Sequence, residues 1–454
     1  MRAAPTASRR REVGCGAVPS ATRRRTPAPS VPAERTTLAN GLRVILAPDK
    51  TAPTVAVCVL YDVGFRSEPE GRTGFAHLFE HLMFEGSWSL PKLRHAELVQ
   101  GNGGVFNGQT RADATVYFEQ LPAAALELGL FLEADRMRAV RLDEETLANQ
   151  IAVVQEEIRV NVLNRPYGGF PWITLPPVLF TTYNNAHNGY GSFVDLEAAT
   201  VDDAADFFTR YYAPSNAVLC LAGSFDPDAV LPLVERHFGA IPGRPSPKRP
   251  SFAEPVPTSE RRQTMEDPLA PLPALALGYR VPDPLADLDA YLAAVVSTEV
   301  LTDGDASRLH ERLVKKERCA THVGGYVGTF GDPFDVRDPT MLQLVVYHPP
   351  GVAADTVLAA LDDEVERTTA DLDADELSRV VTSMQAGLLR QLDDAVSRGL
   401  MLAVLEQLRG DVYLAARLPG LLAEVTPSAV SEALATWVRP DRRAVLEVVP
   451  GKRA

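Results

Sequence analysis

The clearest chemistry in the chain lies in five residues, His77-Leu-Phe-Glu80-His81. A helix advances about 100° per residue, so residues three and four apart share a side. On a helix predicted over residues 73–85, His77, Glu80 and His81 fall within about 100° of arc. Phe75, Leu78, Phe79 and Leu82 fall on the opposite side. One face therefore buries, and the other presents two imidazoles and a carboxylate. Thr73 is the expected N-cap and Gly86 the expected stop. Two neutral imidazoles one turn apart can hold one zinc ion. The carboxylate of Glu80 is placed to take a proton from a water beside that ion. The plain alternative is a surface helix whose His and Glu side chains make ordinary i,i+4 contacts.

A catalytic zinc takes three protein ligands and leaves one position for water or substrate. The third should be a carboxylate or His from another element. Residues 143–164, DEETLANQIAVVQEEIRVNVLN, read as a helix with Leu147, Ile151, Val154 and Ile158 as its apolar stripe. From the centre of that stripe Glu156 lies about 170° away and Glu157 about 90° away. Glu156 faces solvent, whereas Glu157 sits at the edge of the buried face, where a carboxylate needs a partner. Helical position thus selects Glu157 over Glu156. On position alone, such an edge Glu is more often an ion-pair residue.

The elements that must position these groups can be read along the chain. Strands are expected at 42–47, 54–63 and 115–120, and helices at 91–100 and 122–138. A strand at 217–222 leads into a helix at 227–238. Then GAIPGRPSPKRPSFAEPVPTSER, dense in Pro and without apolar periodicity, marks a linker. The second half repeats the grammar. A strand at 341–347 and a Pro-started helix at 353–369 echo the strand at 116–120 and the helix after Pro122, and a strand at 444–449 closes the chain. The expected organisation is a disordered basic tail at 1–36, a catalytic zinc domain at 37–240, a linker at 241–262 and a homologous non-catalytic domain at 263–454. The fold class is α+β, each domain a mostly antiparallel sheet covered by helices.

Composition narrows the functional classes. The 454 residues are 46% hydrophobic and 23% charged, with net charge −14. Residues 1–35 hold eight Arg against two Glu, about +6, so the remainder is near −20. An acidic body argues against a nucleic-acid partner, which needs clustered Lys and Arg. No apolar run is long enough to span a bilayer. The tail has basic residues but no apolar h-region, so a cytoplasmic location is expected. Cys15, Cys58, Cys220 and Cys319 are scattered, which suits a reducing compartment. There is no GxSxG elbow, no Walker loop, and no dinucleotide site at GNGG, residues 101–104.

The order HxxEH is the inverted zinc-protease box. With a Glu 76 residues beyond His81 in a V-V-x-x-E-I-like helix, the chain resembles the M16 peptidases, the family that includes the mitochondrial processing peptidase. GGVFNGQTRADATVYFEQLP (103–122), NRPYG (164–168) and YYAPSNAVLCLAGSF (211–225) carry the same resemblance, which runs over most of 37–450. It implies one Zn2+ per chain on His77, His81 and Glu157, Glu80 as general base, and two homologous α+β domains. It implies a zinc-dependent endopeptidase acting on peptides or leader segments in extended form. It also implies that Asn107, Gly108, Gln109 and Thr110 lie on an edge strand that pairs with the peptide. Taken alone, Asn107 is as well read as a turn residue.

Two departures from the family pattern stand out. Gln150 occupies the place of a supporting Glu seven residues before the carboxylate ligand; it can orient a ligand but adds no charge. In SRLHERLVKKERCATHV (307–323), Val314 and Thr321 stand where self-sufficient members have an Arg and a Tyr that hold the substrate carbonyl. The resemblance therefore implies a heterodimer with a homologous subunit that lacks zinc but carries Arg and Tyr, or otherwise a homodimer. The alternative function is a catalytically inactive core or scaffold subunit, as some relatives are.

Overall fold

The computed structural model describes residues 31–451. Among the described residues eleven strands form two sheets. The first contains β1 (Glu34–Thr37), β2 (Arg43–Pro48), β3 (Thr54–Tyr61), β4 (Val105–Thr110), β5 (Thr115–Pro122) and β6 (Ala217–Gly223) in the order β1-β2-β6-β3-β5-β4. The second contains β7 (Arg261–Asp267), β8 (Ala274–Arg280), β9 (His322–Val327), β10 (Met341–Tyr347) and β11 (Ala444–Pro450) in the order β7-β11-β8-β10-β9. From β2 onward the two orders correspond strand for strand. The correspondence includes the single parallel pair, β2 with β6 and β7 with β11. The chain is thus two homologous α+β domains, each a mostly antiparallel sheet with helices against it.

The strand sequences explain their burial. β3, TVAVCVLY, is apolar at nearly every position because both its faces are covered. Val55, Val57, Val59 and Tyr61 face the first domain's own helices. Ala56, Cys58 and Leu60 face a core shared with the second domain. The Ala395–Arg409 helix of the second half lies across this face, so close that a Cβ on Gly399 would stand 2.8 Å from Cys58 Sγ. Reciprocally, Phe170, Leu175, Leu179 and Phe180 of the first half cover the outer face of the second sheet. Buried Arg66 ties the seam, donating to the carbonyl of Arg337 at 3.0 Å and pairing with Asp113 at 3.3 Å.

Several boundaries differ from the sequence reading. Residues 1–30 of the expected tail, Cys15 among them, lie outside the described residues. Residues 34–36, expected in that tail, instead form β1, because its backbone pairs with β2 from Glu34↔Leu46 to Thr37↔Arg43. Arg261 and Arg262 belong to β7 rather than to the linker. The helix predicted over 73–85 is shorter, Phe75–Leu82, and Thr73 does not cap it. The N-cap is Gly74, at φ +83°, and the carboxylate of Glu68 accepts the N–H groups of Gly74 (2.9 Å) and Ala76 (2.7 Å). Thr73 is occupied elsewhere, with its N–H and hydroxyl both donated to Asp195. The helix expected over 143–164 is α-helical over Glu144–Ile158 and continues as a wider π-type turn, Arg159–Leu163. Among the described residues no helix is long and apolar enough to cross a membrane.

Candidate metal centre

The Phe75–Leu82 helix is fixed by its apolar side. Phe79 packs against Phe207 (5.2 Å between ring centroids) and Tyr212 (4.7 Å). That contact turns His77 and Glu80 towards a cavity and His81 towards Glu157. The Glu144–Ile158 helix buries Leu147, Val154 and Ile158, which leaves Glu157 at its edge. Glu156 is 64% exposed and pairs with Arg159 at 3.1 Å.

Three ligand atoms from these two helices converge. His77 Nε2 and His81 Nε2 are 3.3 Å apart. Glu157 Oε2 stands 3.4 Å from the nitrogen of His81 and 3.7 Å from that of His77. Tetrahedral ligands bound to zinc at about 2.0–2.2 Å stand about 3.3–3.6 Å from one another. The triangle therefore fits that ion. Among the described residues it is the one such cluster of His, Cys, Asp or Glu.

The protonation pattern suits a cation as well. Burial, with His81 adding to it, pushes His77 down to about 4, so its imidazole is neutral. The hydrogen bond from His81 leads in holding Glu157 down at about 2, so it is ionised. Burial works against charge on His81, but Glu157, Glu80 and Gln150 outweigh it and raise its value. His81 Nε2 and Glu157 Oε2 face one another across the place a divalent ion would take.

Neighbouring groups orient the centre. Tyr190 donates its hydroxyl to Glu157 Oε1 at 2.9 Å, leaving Oε2 to face the imidazoles. Gln150 is buried with its side chain at His81. His77 Nδ1 is buried without a hydrogen-bond partner, so this imidazole lacks the outer acceptor that metal-binding imidazoles usually have. Thr110 Oγ1 donates to Glu80 Oε2 at 2.6 Å. Burial raises the Glu80 carboxyl above its ordinary range, and the Thr110 bond pulls against that.

The expected peptide-binding residues sit on β4, the outermost strand of the first sheet, with one edge free of β5. Gln109 and Thr110 line the cavity of about 290 Å³ at the cluster, together with Phe65, Trp172, Tyr190 and Phe330. Asn107 does not; its side chain accepts the N–H of Gly108 at 2.9 Å. Gly108 has a steric reason to be glycine, because a Cβ there would lie 2.9 Å from Glu80 Oε1. Gly108→Ala should therefore displace Glu80 and lower kcat/KM by up to about 100-fold with metal content unchanged. Steady-state kinetics alongside metal analysis checks this.

Sequence reasoning missed Tyr190, Trp172 and Phe330, which come from irregular segments with no periodic signal. Glycines at 189 and 191 were the one hint beside Tyr190. Val314 packs at the rim of the second domain's core, and Thr321 donates its hydroxyl to the carbonyl of Tyr347 at 3.1 Å. Neither lines the cavity at the metal cluster.

Comparison with known proteins agrees with this arrangement. Residues 43–166 match the family model described as Insulinase (Peptidase family M16). Residues 198–384 match that described as Peptidase M16 inactive domain. The zinc protease PqqE of Helicobacter pylori is 28% identical over 380 residues, 80% of each chain. A protease crystal structure from Helicobacter pylori superposes with TM-score 0.84 at 24% identity, over 92% of this chain and 99% of that one. A structure described as a peptidase M16 inactive domain, from Pseudomonas fluorescens, gives TM-score 0.80 at 17% identity, over 92% and 98%.

Proposed function

The chain belongs to the M16 family of zinc peptidases, and from that premise we propose that it is an active metallo-endopeptidase subunit that cuts peptides in extended conformation. The observation that carries this reading is the convergence of His77, His81 and Glu157 on one point with Glu80 beside it, next to a free strand edge. Zinc on these three residues would act as a Lewis acid, acidifying water and polarising a peptide carbonyl. The protein's own groups do the rest. The open backbone of β4 pairs with the peptide and aligns its scissile bond. Glu80 takes the proton of the attacking water on its carboxylate and delivers it to the leaving amine nitrogen. Thr110 holds Glu80 in place for both transfers. Phe65, Trp172 and Phe330 wall the cavity.

The test uses the purified full chain. It should contain one zinc, hydrolyse an unfolded peptide, lose activity to a chelator and regain it with Zn2+. A folded chain that takes up no zinc, or a zinc-loaded chain inert both alone and with its homologous partner, would support the scaffold reading instead. The base also predicts a pH effect. Glu80 must be ionised, and Thr110 stabilises the ionised form. Thr110→Val should raise the Glu80 value further and move the acid limb of kcat/KM to higher pH. A pH–rate profile reads the shift directly.

We further propose that the working unit pairs this chain with a homologous subunit. Val314 and Thr321 are engaged within the second domain, and neither position offers a charged or phenolic donor to the substrate carbonyl. Mass measurement in solution, and activity of the isolated chain against that of the co-expressed pair, separate heterodimer from homodimer.

A further inference from the structure

Glu157 lies at the last turn of its helix, just before the backbone widens at Arg159–Leu163. A side chain there is held weakly by its own helix. The carboxylate is steadied from outside, by Tyr190 OH at 2.9 Å; Asn161 Nδ2 lies farther off, at 3.5 Å. Tyr190 thus holds Oε1 while Oε2 faces the imidazoles.

Tyr190 is in turn fixed to the helix that bears those imidazoles. Asn188 Oδ1 accepts the N–H groups of Tyr190 (2.9 Å) and Gly191 (3.1 Å) and shapes the turn. Gly191, at φ +74°, presses on Gly74 at the start of the Phe75–Leu82 helix. A Cβ on Gly191 would lie 2.4 Å from Gly74 N, and one on Gly74 would lie 2.4 Å from Tyr190 O. No other residue type allows this approach.

The same segment is anchored by His187. Its Nδ1 faces the Tyr183 carbonyl at 2.9 Å. Its Nε2 faces the Phe65 carbonyl at 2.7 Å and Glu68 Oε2 at 3.2 Å. Both ring nitrogens meet acceptors only, so the ring is satisfied as the doubly protonated cation. Glu68 is fully buried, and it is the carboxylate that caps the Phe75–Leu82 helix through Gly74 and Ala76. Burial pushes the Glu68 carboxyl up, and the three donors that face it work against that rise.

We propose that residues 183–191 form a strap that registers the carboxylate ligand against the two imidazole ligands, with Tyr190 and His187 as positioning residues. This rests on the reading of His77, His81 and Glu157 as zinc ligands. The contact of Tyr190 with Glu157 and those of His187 with Phe65 and Glu68 are linked through the backbone of residues 187–190. This adds a second link between two helices that also share the first domain's core. Holding a ligand in place before the ion arrives raises affinity, and outer partners of metal ligands are typically worth roughly 10–100-fold.

The test measures zinc dissociation constants of the full chain by competition with a chromophoric chelator. It also records the visible spectrum of the cobalt(II)-loaded chain, which reports ligand geometry. Tyr190→Phe keeps the ring and removes one hydroxyl. It should weaken zinc binding roughly 10–100-fold and change the cobalt spectrum, with the melting temperature of the metal-free chain little altered. His187→Gln should shift both readouts the same way, and the double variant should bind no more weakly than the weaker single, because both act along one path. Should His187→Gln fail to fold, Asn188→Ala takes its place in the cycle. Wild-type affinity and an unchanged cobalt spectrum in Tyr190→Phe would overturn the strap. Additive losses would overturn the role of His187. A wild-type chain that binds neither metal would instead overturn the metal site itself.

Discussion

Glu80→Gln should leave zinc bound and lower peptide hydrolysis by about 10²–10⁴-fold, the range supplied by one positioned general base. The substitution keeps size and shape, and an amide oxygen can still accept the Thr110 hydroxyl that holds Glu80 now. What is lost is the ability to accept a proton. The three converging atoms belong to His77, His81 and Glu157, so the candidate metal cluster is untouched. Metal analysis and single-turnover cleavage on the same sample separate the two effects. Activity that persists in a preparation free of contaminating protease removes Glu80 from the mechanism.

Glu157→Ala should cost far more zinc affinity than Glu156→Ala. The first removes one of three converging atoms, 3.4 and 3.7 Å from the two imidazole nitrogens. Two imidazoles then remain, and the loss should exceed the roughly 10–100-fold of an outer-partner change. The second removes an exposed carboxylate whose visible partner is Arg159. Such surface pairs contribute about 0–1 kcal/mol and nothing to the metal. Competition with a chromophoric chelator on both variants gives the comparison. Equal losses would mean that Glu157 is not the carboxylate ligand.

The choice between these neighbouring glutamates is legible in the helical pattern alone. A helix has a fixed angle per residue, so a stripe of Leu147, Val154 and Ile158 says where Glu157 must point. The same rule puts His77, Glu80 and His81 on one face and the phenylalanines on the other. Strand alternation and the Pro-rich linker expose the duplication, which the matching strand orders of the two sheets express. Local rules fail where a local group has a distant competitor. Thr73 fits the composition of an N-cap, yet Asp195, 122 residues away, takes its donors, while Glu68 reaches the helix start instead. Thr110 fits a substrate contact on its strand, and its hydroxyl also serves Glu80.

By itself, then, the amino-acid sequence determined the box and the helical face on which each candidate ligand lies, and the order of its elements pointed to the two domains. The helical faces follow from periodicity, which is a property of neighbours in the chain. Only the tertiary structure decided that the Nε2 atoms of His77 and His81 meet Oε2 of Glu157 within 3.7 Å. It alone brought Tyr190 onto that carboxylate and Gly108 under Glu80. Such contacts join irregular segments to helices far away in sequence. They depend on how two packed faces are placed relative to one another, and no local pattern encodes that placement.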